Sequence, residues 1–335
     1  MPLRFLLLVA ALASSGANAA DSLSAQRLGV LYNLDDAASQ STAQYYADRR
    51  AIPAANVVGV HMGRTNVLSP MEFAPIRKQT MERLPGEVQS LALVWSHPFA
   101  VGCMSITTAV AVGYKPEFCD PGCKNTSPNP LFDVDGWLPA DTVGWMPAML
   151  IPTADPALAR SLIERGVASD GSAPVGALYL VRTQDAARNV RAVTYPEIES
   201  QLAGRARVVD LSTPITGDIR GAIGYFTGAV QVEELARIQF LPGAVADHLT
   251  STGGVLAGGS QMPAVAWLKQ GATASYGNVS EPCNLLAKFP NISVLMRHYM
   301  LGETVLEAYW KSVAMPGQGL FIGEPLAKPY ATHRQ

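Results

Sequence analysis

The stretch "RLGVLYNLDDAASQSTAQYYADRRAIPAANVVGVHM", residues 27–62, decides the fold class. Its first seven residues, Arg27–Asn33, are mainly apolar with a β-branched member and read as a buried strand. "SQSTAQYYADRR" follows with apolar spacing suited to a helix, and Ser39 stands where an N-cap is expected. "IPAANVVGVHM" then starts on a proline and supplies a second apolar strand. Strand, helix and strand in that order make a βαβ unit with a right-handed crossover.

The same alternation continues outward from this unit. "FAPIRKQTMERL" is an amphipathic helix and "SLALVWS" (Ser90–Ser96) a third strand. From His97 to about Met146 the pattern gives way to an irregular excursion rich in proline, glycine and cysteine. Such a long excursion in a compact chain is either functional or cross-linked. Alternation resumes with helix "DPALARSLIERGVA" and strands "GALYLVRT", "ARVVDL", "AIGYFTG" and "RIQFLPGAVADH". Helix "MPAVAWLKQG", strand "TASYGNV" and helix "ETVLEAYWKSVA" then lead into "GLFIGEPLAKPY". The expected class is α/β, a mostly parallel sheet covered by helices on both faces. A soft boundary near residue 150 separates an N-terminal subdomain (20–150) from a larger C-terminal one (151–335). No linker composition marks it, so two packed subdomains are expected.

The first 19 residues read differently. Arg4 precedes an apolar run from Phe5 to Ala13, then small residues and Ala17-Asn18-Ala19. A short charged region, a run too short to span a bilayer and an A-x-A site predict a secretory signal cleaved after Ala19. The expected location is therefore the periplasm or the extracellular space, with no membrane-spanning segment in the mature chain. A net charge of −2 and a charged fraction of 16% argue against nucleic acid, which needs a concentrated basic surface. The expected partner is an extracellular ligand or protein segment.

Four cysteines remain: Cys103, Cys119, Cys123 and Cys283. An even number in an exported chain favours disulfides, with three connectivities open. Four thiols also suit tetrahedral zinc, but the C-x2-C spacing is missing and Cys283 is remote, so no metal is expected. No dinucleotide, P-loop, zinc-protease or calcium-loop motif occurs, and no cofactor is expected.

Ligands of open α/β sheets bind outside the carboxyl ends of the strands. That rule selects Tyr225–Gly228, Asp247-His248 with Thr250-Ser251, Ser280–Cys283, and Gly323-Glu324-Pro325. Within them Thr227, Asp247, Glu281 and Glu324 are candidate ligand-binding residues. His248 is a candidate base, with Ser251 or a thiolate at Cys283 as nucleophile. Alternation along a strand sends Asp247 and His248 to opposite faces, so Asp247 does not orient the imidazole. The plainer reading is a buried turn in which His248 donates to a carbonyl and Gly253-Gly254 permit positive φ. Ser251 lacks the G-x-S-x-G elbow. Glu281 and Glu324 each precede proline and equally fit loop-shaping turns.

The segments "VLYNLDDAASQSTAQYYADRRAIPAANV", "VGCMSITTAVAVGY", "FLPGAVADHLTSTGG", "GATASYGNVSEPC" and "GQGLFIGEPLAKPY" resemble an uncharacterised family of exported bacterial proteins from genomes with exosortase-type sorting systems. That resemblance covers residues 27–331 and implies no activity. The order "GYFTG", "GAVADHLTS", "AVAWLKQGATASYGNVSEP", "FIGEPLAKPY" is also similar to gingipain-type cysteine peptidases, which have a caspase-like fold. In those peptidases one strand ends in His-Gly and the next in the nucleophilic Cys. Here the first position reads Phe226-Thr227-Gly228 and the second falls near Leu249 to Ser251. The resemblance thus implies the fold without the dyad. The leading expectation is a non-peptidase descendant that binds at the carboxyl-end cleft. The rival is a hydrolase rebuilt on His248 with Ser251 or Cys283.

Overall fold

The first βαβ unit forms as its sequence requires. β1 (Leu28–Asn33) and β2 (Val57–Val60) pair in parallel on either side of α1 (Ala37–Arg50). Nearly every residue of β1 is buried, the pattern of a strand covered on both faces. The cap of α1 is Asp36, whose side chain accepts from the Ala38 amide, and not Ser39. Ser39 is spent elsewhere: its hydroxyl accepts from Asn33 N at 2.7 Å and donates to the Val94 carbonyl. One buried hydroxyl thereby straps the helix to two strands.

The computed structural model describes residues 23–119, 123–136, 140–212 and 216–331; the signal segment expected over residues 1–19 lies outside the described residues. After β2 come α2 (Pro70–Arg83), β3 (Ser90–Val94), α3 (Ile106–Val112), β4 (Ala148–Ile151) and α4 (Pro156–Ser169). Next are β5 (Ala177–Val181), α5 (Tyr195–Gln201), β6 (Arg207–Leu211), β7 (Ile219–Gly228) and β8 (Ile238–Leu249). The chain finishes with α6 (Val265–Gln270), β9 (Ala274–Asn278), α7 (Ile292–Met300), α8 (Val305–Ser312) and β10 (Gly319–Gly323).

These ten strands form one sheet in the order β2-β1-β3-β4-β10-β9-β8-β7-β5-β6. It is a mostly parallel sheet flanked by helices, as the alternation predicts. The soft division near residue 150 falls at the end of β4. β10 is the strand that joins the two sets: it runs antiparallel to β9 from Ala274–Gly323 to Asn278–Gly319, and it meets β4 at Ile322–Leu150. Three two-residue strands, Val67–Leu68, Ala100–Val101 and Met104–Ser105, make a small second sheet beside α3.

The antiparallel pairing corrects one sequence expectation. Gly323 lies opposite Ala274, the first residue of β9, so Glu324 sits at the amino edge of its neighbour. It is not in the carboxyl-end cleft with Thr227, Asp247 and Glu281. Glu324 is fully buried and accepts from Tyr46 Oη at 2.7 Å, Arg50 Nε at 3.0 Å and Arg50 Nη2.

The excursion is cross-linked in two ways. Cys103 pairs with Cys119 inside it, and Cys123 pairs with Cys283, 160 residues away in the loop after β9. Ser280 Oγ donates to the Cys103 carbonyl at 2.8 Å in the same place. The excursion after β3 and the loop after β9 therefore meet at a common carboxyl edge. No helix among the described residues is long and apolar enough to cross a membrane.

Removing the long cross-link should cost about 2–4 kcal/mol, because the unfolded chain regains the freedom of a large loop. Urea unfolding of a Cys123→Ser/Cys283→Ser double variant should show a lower midpoint than the parent. An unchanged midpoint would mean the bond is not formed in the folded protein.

Candidate functional site

The carboxyl ends of β7 and β8 carry most of the sequence candidates. Their parallel register sets Phe226 beside Asp247 and Thr227 beside His248. Paired residues of parallel strands share a face, so Asp247 and His248 project from opposite sides of the sheet.

On one side, His248 is 2% exposed. Its Nδ1 accepts from Trp267 Nε1–H at 2.9 Å, and its Nε2–H donates to the Met262 carbonyl at 2.9 Å. Both ring nitrogens are committed and the tautomer is fixed by the indole donor. Burial holds its pKa down to about 4, helped by the positive charges of Arg191 and Arg188 and opposed by the Met262 bond. A neutral imidazole with no vacant lone pair cannot take a proton from Ser251. The proposed base is instead a satisfied core residue under α6.

The Thr-Ser-Thr turn is organised by Gln261. Its Oε1 accepts from Thr250 Oγ1 at 2.8 Å and from Thr252 N at 2.7 Å, while Arg188 Nε donates to Thr250 Oγ1 at 3.1 Å. Gly254 serves close approach, and neither it nor Gly253 has the positive φ of the plainer reading. A Cβ on Gly254 would lie 2.4 Å from the Gly277 carbonyl oxygen, and one on Gly277 would lie 2.4 Å from Gly253 C. Gly254 N donates to the Asn278 carbonyl at 2.8 Å across this contact.

Thr227, Glu281 and Cys283 have structural partners. Thr227 Oγ1 donates to Val181 O at 3.0 Å. Glu281 Oε1 accepts from Cys283 N at 2.8 Å and shapes its own turn. Cys283 is in the disulfide with Cys123, so its sulfur is not available as a thiolate. The disulfide expected of the four cysteines thus includes Cys283, and the alternative of a nucleophile there is set aside.

The opposite face holds what the sequence reading missed. Arg191 lies in the short helical stretch Asn189–Thr194, where β-branched and small residues surround a single cation. It is 3% exposed and Asp247 is 1% exposed. Arg191 Nη2 donates to Asp247 Oδ1 and, at 3.1 Å, to the Thr227 carbonyl. Burial pushes the Asp247 carboxyl above its ordinary value while the guanidinium pulls against that shift. The pair is incompletely satisfied: Arg191 Nε and Nη1 and Asp247 Oδ2 have no hydrogen-bond partner. Arg191 also forms part of the wall of a recess of about 220 Å3 shared with Phe132, Thr194, Phe289 and Asn291. Among the described residues no group of three or more His, Cys, Asp or Glu is placed to hold a metal ion.

No protein-family model matches the chain, and no curated protein matches it either. A solved structure described as "Structure of Protease" aligns over 92% of this chain and 80% of its own, with a TM-score of 0.48 and 11% identity.

The buried imidazole has a measurable consequence. Its folded pKa of about 4 lies below the ordinary 6.5, so the unfolded chain binds the extra proton first. The contribution is fully present above pH 6.5 and is lost as pH falls toward 4, amounting to about 3 kcal/mol. Between pH 7 and pH 4, wild type should lose about that much more unfolding free energy than His248→Gln. Equal losses by chemical denaturation would place a charged or exposed imidazole in the folded state.

Proposed function

We propose that this chain is an exported binding protein, a non-catalytic derivative of a caspase/gingipain-like scaffold. It takes an extracellular ligand or protein segment at the carboxyl edge of β7–β9. The observation that carries the reading is the recess beside Arg191, a cavity of about 220 Å3 at the strand ends where α/β sheets bind ligands. Three further features support it. His248 has no free nitrogen, Cys283 is cross-linked, and the turn hydroxyl of Thr250 is held by Arg188 and Gln261. A hydrolase needs a nucleophile within hydrogen-bond reach of a base, and these residues do not supply that pair.

The signal-like leader and the two disulfides support export. In this reading the sheet edge that houses a dyad in peptidases of this fold has been rebuilt as a rigid polar floor.

Two assays test the proposal together. A fluorophosphonate and a peptidyl acyloxymethyl ketone should leave the protein unlabelled, and stoichiometric acylation at Ser251 would overturn the binding reading. A displayed library of random extracellular segments should yield binders that are lost in Thr194→Trp. That substitution fills the recess while leaving Arg191 and Asp247 in place. Binders that tolerate Thr194→Trp would put the binding surface elsewhere.

A further inference from the structure

Away from the recess beside Arg191, α2 and the turn after α3 enclose a groove of about 560 Å3. We infer that this groove docks an amphipathic helix of a partner protein, one that carries a single carboxylate between two apolar side chains. The cation comes first. Arg77 Nε donates to the Val110 carbonyl at 2.9 Å and Nη2 to the Ala111 carbonyl at 3.5 Å, so the guanidinium closes the end of α3. Arg49, Arg50, Arg182, Arg188, Arg191 and Arg297 each reach a carboxylate. Among the described residues Arg77 reaches none, and burial alone holds its pKa below the ordinary guanidinium value. Its Nη1 has no acceptor among them either, and it is not sealed from solvent. Gly113 shows where that nitrogen stands. A Cβ added there would meet nothing nearer than Arg77 Cζ and Nη1, both at 3.9 Å. Gly113 and Arg77 both line the groove, so the open edge of the guanidinium stands at its wall.

The second observation is the shape. Pro70, Phe73, Ala74, Arg77 and Met81 line the groove and recur every three or four residues. The groove therefore runs along one face of α2, for about 18 Å from Pro70 to Glu82. Tyr114 lines it from the turn after α3. Helical spacing puts Met71, 83% exposed, on the flank of Lys78 and Glu82, and Val67, 46% exposed, precedes the helix. Apolar surface thus continues past the Pro70 end. Exposed apolar side chains beside an apolar groove mark an interaction surface.

Backbone chemistry selects a helix as the occupant. The long wall is itself a helix, with its amides and carbonyls bonded internally, so it offers no ladder to an extended chain. An extended segment would leave its own backbone groups unpaired against that wall, whereas a helix brings them already satisfied. The position of the charge selects the pattern. Arg77 lies near the middle of the stripe, with Phe73 and Ala74 one turn before it and Met81 one turn after. Lys78, on the rim, has Glu82 at 3.9 Å, so that pair adds no net charge. One uncompensated cation therefore suits one carboxylate, with an apolar residue a turn to either side of it. The acid of a lipid chain would instead need its cation at one end of the groove.

The test is a library of helix-locked peptides of about 14 residues, selected on the unaltered protein. Binders should carry one Asp or Glu with apolar residues three or four positions before and after it. In calorimetry, exchanging that acid for its amide should weaken binding about tenfold, the worth of one charge-assisted hydrogen bond. Ala74→Trp, at an exposed position of α2, should abolish binding, and Thr194→Trp should leave it intact. Arg77→Met should erase the difference between acid and amide. Because that change also uncaps α3, Lys78→Glu on the exposed rim is the second variant. It should weaken the acid peptide about threefold more than the amide. Binders without an acid, equal binding of acid and amide, binding kept in Ala74→Trp, or no binder at all would each overturn the inference. So would dodecanoate bound to the parent and lost in Ala74→Trp, which assigns the groove to a lipid acid. A dimer in sedimentation that Ala74→Trp separates would overturn it in favour of a second copy of this chain.

Discussion

The amino edge of the sheet is built around a carboxylate that water does not reach. Glu324 receives the Arg50 guanidinium through Nε and Nη2, the Tyr46 hydroxyl, and Leu326 N at 3.3 Å. Arg50 extends the cluster to Asp170 at the end of α4. Gly166 makes room for it, since a Cβ there would lie 2.3 Å from Glu324 Oε2. Four separate segments converge on one ion: α1, α4, the turn after α4, and the chain beyond β10. Removing Arg50 would strand the buried charge of Glu324, a cost of about 3–5 kcal/mol. The cluster fixes where α1 and α4 sit, and through β10 it fixes how the first four strands join the last five.

With that edge locked, the opposite edge is free to vary, and its residues follow a simple division. Alternation sends His248 to the α6 face and Asp247 to the face of α5, α7 and α8. The first meets an indole and a carbonyl and is satisfied completely. The second meets a guanidinium that is satisfied only in part. Two neighbouring titratable residues thereby acquire opposite characters, one closed and one with donors left over. The difference comes from the pleat, not from either residue's chemistry.

The sequence shows the fold class clearly because repeated strand-helix alternation and buried apolar runs are local signals. It conceals elements whose signal is weak or overwritten. "AMLI" at Ala148–Ile151 is too short to stand out beside the irregular excursion, yet it is the interior strand β4. "ISVLMRHYM" at Ile292–Met300 is short and carries only Ser293 and Arg297 as its polar stripe, a weak local signal, yet Asn291 caps it as a helix. The direction of β10 is also invisible locally, and that alone moved Glu324 to the wrong edge. The candidate site was half legible. Strand ends identified Thr227, Asp247 and His248 by position, but which face each occupies decides its role. Arg191 carried no motif. Its importance comes from meeting Asp247 across 56 residues of sequence, a contact that no spacing rule anticipates.

The two disulfides differ in when their halves exist. Cys103 and Cys119 are 16 residues apart, so both emerge together from a ribosome or a translocation pore. Cys123 must wait for Cys283, 160 residues later, and the longer closure costs about 2 kcal/mol more in chain entropy. During that interval Cys123 is four residues from Cys119, a closer neighbour than its true partner. Fidelity therefore depends on the early pair forming first and occupying Cys119. The order of synthesis acts as a proofreading step: the short loop protects the long one from a wrong match, and the sheet closes only when the last quarter of the chain arrives.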